Sequence, residues 1–279
     1  MLLKLHVLHF NHQLRPEADH EQNFVKSLAE HYKIPFHYKT AKHLKPGQAG
    51  LQETARQWRI KESIKMLKKV EADCIATGHH ADDQTETLLL KWLRGTHISN
   101  LQGMLWKAPP FIRPLLNCRK KELKQYLQSN NFSWMEDSTN LSSTYLRNRV
   151  RMELIPLLNE LTREGLDSRI SDLNEQSSLF REWLDKEYTK WSVASKSAES
   201  KYDCKISLDD LEKVNRLLQE EIIYKFITSK TNIELSYKNL RNIFELLISE
   251  NKHWEYTLSE EWKLVNSGNE LSLHNKPKS

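Results

Sequence analysis

Over the first hundred residues the hydrophobic positions alternate between two periods. Leu2–Phe10 (LLKLHVLHF) has the texture of a strand, Glu17–Tyr32 places Phe24, Val25, Leu28 and Ala29 at helical spacing, and Pro35–Thr40 returns to a short strand. A long helix is expected from about Leu51 to Val70, followed by a short apolar strand, Cys74-Ile75-Ala76-Thr77, that ends at Gly78. The next helix begins near Ala81, with Asp82 and Asp83 in its first turn, where the positive end of the helix dipole favours acids. Strand followed by helix, three times over, predicts βαβ units: an α/β fold with a parallel sheet and flanking helices. In such sheets chemistry gathers at the carboxyl ends of strands. The histidine-bearing turns after Phe10 and after Thr77 both fall there.

From Gly95 to Phe111 the pattern is that of a loop. A basic helix is expected from about Arg119 to Asn130, then a polar stretch ending in Asp137-Ser138-Thr139-Asn140, then helical spacing again over Tyr145–Leu161. Beyond that the texture changes. Long helical patterns cover 165–192, 208–229 and 236–249, a Ser/Lys-rich linker occupies 192–201, and Trp254–Leu273 alternates like two or three short strands. The change places a domain boundary near residue 160, with an α/β domain over 1–160 and a mainly helical domain with short terminal strands over 161–279. No internal repeat is visible.

Composition narrows the function classes. With 38% hydrophobic and 28% charged residues and a mean hydropathy of −0.69, the chain reads as a polar, folded protein. No apolar run approaches the roughly 20 residues that span a bilayer. The opening Met1-Leu2-Leu3-Lys4 is charged too soon for a signal peptide, so a cytoplasmic protein is expected. Cys74, Cys118 and Cys204 are far apart and form no CxxC, which argues against a disulfide framework, a zinc ribbon or an iron–sulfur cluster. Glycine is scarce, at 7 of 279, and neither GxGxxG nor GxxxxGK occurs. The net charge of +5 is unevenly spread: residues 1–155 hold 24 Lys and Arg against 15 acids, whereas 156–279 hold 18 against 22. A basic first half points to a polyanion, nucleic acid or nucleotide, or else to a solvated basic face.

The densest chemical signal is Thr77-Gly78-His79-His80-Ala81-Asp82-Asp83-Gln84-Thr85-Glu86-Thr87. In a helix that starts near Ala81, Asp83 and Glu86 are three apart and share a face, with His79 just before it. Two hard oxygen ligands on one helix suit Mg²⁺, which leaves its other positions to water and phosphate. Asn11-His12-Gln13-Leu14-Arg15 follows the first strand and on its own also describes a turn capped by Asn with a surface His. Arg56 and Arg59 lie three apart on the long helix, a pattern equally suited to solvated charges. Arg147 and Arg151, four apart in RNRVR, share a face able to grip a phosphate or an RNA backbone. Trp58, Trp92, Trp106 and Trp134 lie near these clusters and could stack on bases, although Trp92 fits the core side of its helix.

Together these elements carry a resemblance that none carries singly. NHQLR, AR-x-x-R, TGHHADDQTET, LRGT, NLQGM, RPLL, EDSTN and RNRVR stand in the order seen in tRNA(Ile)-lysidine synthases, which belong to the PP-loop (N-type) ATP pyrophosphatases. The match is dense from residue 6 to about 160; the remainder resembles, more faintly, the helical substrate-recognition domain of bacterial members. The resemblance implies that ATP adenylates the C2 carbonyl oxygen of the wobble cytidine in a CAU anticodon. Free L-lysine then attacks C2 and expels AMP. ATP and Mg²⁺ are the implied cofactors and tRNA(Ile) the implied partner. A homodimer is compatible with the sequence. By motif position, His79, Asp83, Glu86 and Arg56 are the implied catalytic residues, with Asp83 and Glu86 on the metal. Asn11, His12, Arg15 and Arg56 would serve the nucleotide, and Arg147, Arg151 and Arg113 the tRNA or its phosphates.

The family opens with a strand and a Ser-Gly-Gly-x-Asp-Ser loop, whereas Met1 falls where the second strand should begin. The resemblance therefore implies a missing strand, loop and helix, and leaves open a catalytically silent tRNA-binding remnant. A tRNA thiolating enzyme is disfavoured, since the cysteines match no thiolation motif.

Overall fold

The computed structural model describes residues 3–14, 16–45, 47–48, 50–135, 146–163, 165–195, 205–231, 233 and 235–276. By its contacts the chain forms two compact units, residues 1–80 with 105–139 and residues 81–104 with 140–279.

In the first unit, β1 (Val7–Asn11) leads into α1 (Ala18–His31), β2 (Phe36–Thr40) and α2 (Leu51–Lys69). β1 and β2 pair in parallel, from Val7 opposite Phe36 to Asn11 opposite Thr40. The connection is a right-length βαβ crossover, with Asp19 and Glu21 in the first turn of α1. A second small sheet holds β3 (Ile75–Ala76), β4 (Lys107–Ala108) and β5 (Phe111–Ile112) in the order β3-β5-β4. β3 and β5 run parallel, and β4 is antiparallel to β5. α4 (Lys120–Ser129) closes the unit; Glu122 caps it by accepting from the Arg119 backbone N–H at 2.7 Å. The parallel, helix-flanked sheet agrees with the α/β expectation. The stretch from Gly95 to Phe111 is not one loop, because it contains a 3₁₀ turn at Ile98–Asn100 and the strand β4.

In the second unit, α3 (Ala81–Leu93) buries Thr85, Glu86, Leu88 and Leu90. Trp92 is 67% exposed and so is not a core residue. Leu146–Leu161 forms a continuous helical run: α5 (Leu146–Arg149), one π-helical turn at Val150–Leu154, and α6 (Ile155–Leu161). α7 (Leu166–Ala194) is the longest helix. The expected helix over 208–229 is two: α8 (Leu208–Glu212) and α9 (Arg216–Thr231). They are divided at Asn215, whose side chain accepts from the Leu218 N–H at 3.0 Å. Asn favours such a cap because its oxygen satisfies an orphan amide of the first turn. α10 (Tyr237–Leu247) is capped in the same way by Ser236.

The stretch from Trp254 to Leu273 forms three strands, as its alternation predicts, and a fourth joins them from before α8. β6 (Lys205–Ser207), β7 (His253–Thr257), β8 (Trp262–Ser267) and β9 (Glu270–Asn275) make an antiparallel sheet in the order β6-β9-β8-β7. One face of it packs on α9 and α10. Leu264 and Leu271 from the sheet and Ile222, Ile223, Ile227, Leu240 and Ile243 from the helices are buried in one cluster. Among the described residues no helix is long and apolar enough to cross a membrane.

Leu264 lies in the inner strand β8 and is fully buried, so Leu264→Ala should cost about 3 kcal/mol from lost transfer energy and the cavity left behind. Urea unfolding checks this, and a loss below about 1 kcal/mol would mean the cluster is not the folding core of this unit.

Candidate active site

Each unit gathers part of the residues singled out by the motifs. In the first unit they stand at the carboxyl ends of strands. Asn11 ends β1 and is 2% exposed. Its amide donates to Asp19 Oδ1 at 2.7 Å and Gln22 Oε1 at 3.1 Å, and its oxygen accepts from the Gln13 N–H at 2.9 Å. That side chain closes the turn into α1. His12 meets Trp58 edge-on, with ring centroids 5.4 Å apart, and Phe10 and His43 pack on the same indole. Trp58 is thereby the aromatic centre of the β1 end. Arg15 lies outside the described residues, as do the EDSTN segment and Cys204.

His79 follows β3, with Nδ1 2.8 Å from Thr77 Oγ1. On the neighbouring strand, Arg113 follows β5; its Nη1 donates to the Leu105 carbonyl at 2.6 Å. Burial, helped by the charge of Arg56, lowers the Arg113 pKa from its ordinary value. Arg56 itself is exposed and reaches Glu53 at 3.3 Å.

The second unit holds the more ordered cluster. The α3 helix starts one residue after His80, and its face presents Asp83 and Glu86. The helical run from Leu146 brings Arg147 to that face from α5 and Arg151 from within the π-helical turn, a local irregularity frequent at functional sites. Arg147 Nε donates to Glu86 Oε2 at 2.9 Å. Arg151 forks onto the same carboxylate, its Nε on Oε1 and its Nη2 on Oε2 at 3.1 Å. Asp83 Oδ1 stands farther off, 4.0 Å from Arg147 Nη2 and 3.9 Å from Arg151 Nη2. Glu86 is 1% exposed, whereas the arginine side chains are 42% and 32% exposed. The hydrogen bond to Glu86 raises the Arg151 pKa against the effect of burial, with Glu86, Asp83 and Asp82 adding to the rise. The result is a buried carboxylate held by two arginines whose side chains stay partly exposed, with Asp83 close by.

This geometry bears on Mg²⁺, which the resemblance implies. Among the described residues there is no group of three or more His, Cys, Asp or Glu side chains placed to hold a metal. Glu86, with both oxygens taken by arginines, does not fit the metal-ligand role expected of it. Asp83, whose contacts to the arginines are beyond hydrogen-bonding distance, fits the single carboxylate that Mg²⁺ accepts beside water and phosphate oxygens.

Two features of the site escaped the sequence reading. Gln84, between the two acids, donates to the Met104 carbonyl at 2.8 Å and accepts from the Met104 N–H. Lys91 donates to the carbonyls of Asn100 and Gln102 at 2.9 and 2.7 Å. Both tie the strap 95–104 to α3. Only the spacing of Gln84 and Lys91, a full two turns apart on the helix, hinted at a shared task.

Comparison with known proteins decides the family. Residues 1–158 match the PP-loop domain. The tRNA(Ile)-lysidine synthase of Petrotoga mobilis is 30% identical over 75% of this chain and 67% of its own length. The chain belongs to the tRNA(Ile)-lysidine synthase family. The synthase of Enterococcus faecalis is 32% identical over 98% of this chain, and the chain spans 60% of that relative's length. A solved structure, the U34-tRNA thiolase NcsA from Methanococcus maripaludis with its 4Fe-4S cluster, superposes with a TM-score of 0.51. It is 16% identical, over 63% of this chain and 60% of that one, and so supports the fold alone. The lysidine synthase family is a family of ligases, and its PP-loop domain accounts for the parallel sheet.

Within the RNRVR segment the two kinds of arginine should separate in stability. Arg149 pairs with Glu153 in solvent, their side chains 59% and 54% exposed, so Arg149→Ala should change unfolding free energy by less than about 1 kcal/mol. Glu86→Ala removes the buried partner of two guanidiniums and should cost about 3 kcal/mol. Chemical denaturation of the two variants checks the contrast; equal effects would contradict it.

Proposed function

We propose that this protein ligates lysine to C2 of the wobble cytidine in the CAU anticodon of tRNA(Ile), using ATP. Residues 1–160 serve as the ATP pyrophosphatase-like domain and residues 161–279 as the tRNA-recognition domain. The observation that carries the reading is the Asp83–Glu86–Arg147–Arg151 cluster, which stands on the two most specific motifs of the family. ATP transfers its adenylyl group to the C2 carbonyl oxygen, and pyrophosphate leaves. The amine of free lysine attacks C2, AMP departs with the oxygen, and the amine loses a proton.

The residues divide this work by charge. Asp83 would hold Mg²⁺ against the phosphates, where the ion would offset the charge that develops on the leaving group. Glu86 keeps Arg147 and Arg151 at fixed positions so that their exposed donors meet a phosphate without reorganisation, the condition under which such donors act most strongly. Arg56 and Arg113 offer a second pair of cations for a nucleotide phosphate. His79, at the end of β3, would donate to or accept from the reacting nucleotide.

The test is incorporation of labelled lysine into a tRNA(Ile) transcript. Incorporation that requires ATP and the CAU anticodon is expected. Tight tRNA binding without incorporation at any Mg²⁺ concentration would favour a silent tRNA-binding protein. Asp83→Ala should abolish incorporation and leave tRNA affinity within about threefold, since its carboxylate serves the metal and phosphates. Near-normal turnover of this variant at limiting Mg²⁺ would remove Asp83 from that role.

Binding of tRNA should also weaken with salt, with a log–log slope of about −0.7 to −0.9 per neutralised phosphate. Arg147→Ala and Arg151→Ala should each flatten the slope by about one unit. An unchanged slope in both would return these arginines to a solvated face.

A further inference from the structure

The turn after α3 enters a polar cluster that the proposed chemistry does not use. His97 is fully buried. Its ring stacks against Tyr224 of α9 and Tyr237 of α10, with centroids 5.3 and 6.1 Å away. Its Nδ1 is 2.7 Å from Ser99 Oγ. Two carboxylates of α9 face it: Glu220 lies 3.6 Å from Nε2 and Glu221 3.8 Å from Nδ1. Arg181 of α7 donates to the Ser99 carbonyl at 2.9 Å and stands 3.7 Å from Glu221. Lys225 joins Glu221 to Asp185, at 3.6 and 2.5 Å, and Arg216 holds Glu220 at 2.8 Å.

Three acids thus meet three permanent cations, and the charge balances with the imidazole neutral. Burial lowers the His97 pKa more than Glu221 and Glu220 raise it, and the charge of Arg181 adds to the lowering. Among the described residues neither oxygen of Glu221 accepts a hydrogen bond. Apolar residues of similar volume would be at least as stable in such a place, so a buried network of this kind contributes geometry more than free energy.

The geometry in question is that of α3. The strap 95–104 is pinned at both ends. At one end Gln84, the neighbour of Asp83, clamps Met104. Beside it, Asn174 of α7 accepts from the Gly103 N–H at 2.6 Å. At the other end the backbone of Thr96 bridges to Ser236, and the Tyr237 N–H donates to the Gly95 carbonyl at 3.1 Å. His97 is the one strap side chain buried completely among α7, α9 and α10.

We infer that His97 is a positioning residue: it locks the strap into the helical layer and thereby sets the register of α3 that holds Asp83 and Glu86 against Arg147 and Arg151. The inference rests on the reading of that cluster as the working site, but its first test does not require turnover.

His97→Phe keeps an aromatic ring between the two tyrosines and removes both nitrogens. His97→Asn restores a polar group near the place of Nδ1. The Nε protons of Arg147 and Arg151, held on Glu86, report the cluster by NMR. Their exchange with solvent should accelerate about tenfold in His97→Phe and return to within about threefold of the parent in His97→Asn. Exchange in His97→Phe equal to that of the parent would overturn the inference. Should His97→Phe fail to fold, Ser99→Ala removes the partner of Nδ1 and should accelerate the same exchange by about threefold; no change there would also overturn it. In the lysine-incorporation assay, His97→Phe should lower kcat about tenfold with KM for ATP within about twofold. A rise in KM alone would contradict a positioning role. A parent chain that incorporates no lysine would count against the proposed ligase activity, while the exchange measurement would still decide the role of His97.

Discussion

A single buried carboxylate organises the site. Glu86 is sealed from solvent and accepts from two guanidiniums at once, so its charge is compensated only if both arginines stay where they are. A lone buried carboxylate would be strongly disfavoured, and a lone pair of adjacent arginines would repel. Joined, they convert a helix face with two acids into a fixed, cation-topped surface. Asp83 stands farther from the same arginines, at 3.9 and 4.0 Å, and is the carboxylate to which the proposed function assigns the metal.

Everything around this contact serves its geometry. Glu86 is carried on α3, and α3 is tied along its length to a strap that three helices of the second unit grip. On the arginine helix, Arg147 stands in α5 and Arg151 within the π-helical turn that follows it. In the first unit the same logic operates on a smaller scale. Asn11 spends its whole side chain on one turn, and Trp58 gathers Phe10, His12 and His43 around the end of β1.

Long periodic elements were legible from the sequence, and short or locally capped ones were not. The βαβ units over residues 7–69 appear where the change of period places them. β4 and β5 are two residues each, too short to leave a period, so the stretch from Gly95 to Phe111 read as a loop. The break between α8 and α9 had a visible cause in Asn215, a favoured helix cap, but the apolar residues run on past it and masked the signal. Trp92 follows Thr85 and Leu88 at helical spacing and so reads as core, yet it is exposed, because the period tells which face a residue shares and not how far along the helix that face stays covered. The acid pair of the site was legible from its spacing of three. That Glu86 would be paired with arginines more than sixty positions away was not, because periodicity says nothing about which distant helix a face will meet.

Glu86 acts by holding the arginines. Simple charge counting makes the opposite forecast from the anchoring account. Removing a negative charge from a phosphate-binding surface should tighten binding of a polyanion, by on the order of tenfold for a contact in a partly buried medium. If Glu86 is the anchor, Glu86→Gln loosens Arg147 and Arg151 and weakens binding instead. The decisive measurement is therefore the tRNA affinity of folded Glu86→Gln at low and physiological salt. The anchoring account predicts a loss of about tenfold and a flatter salt dependence. Tighter binding with a steeper salt dependence would contradict it.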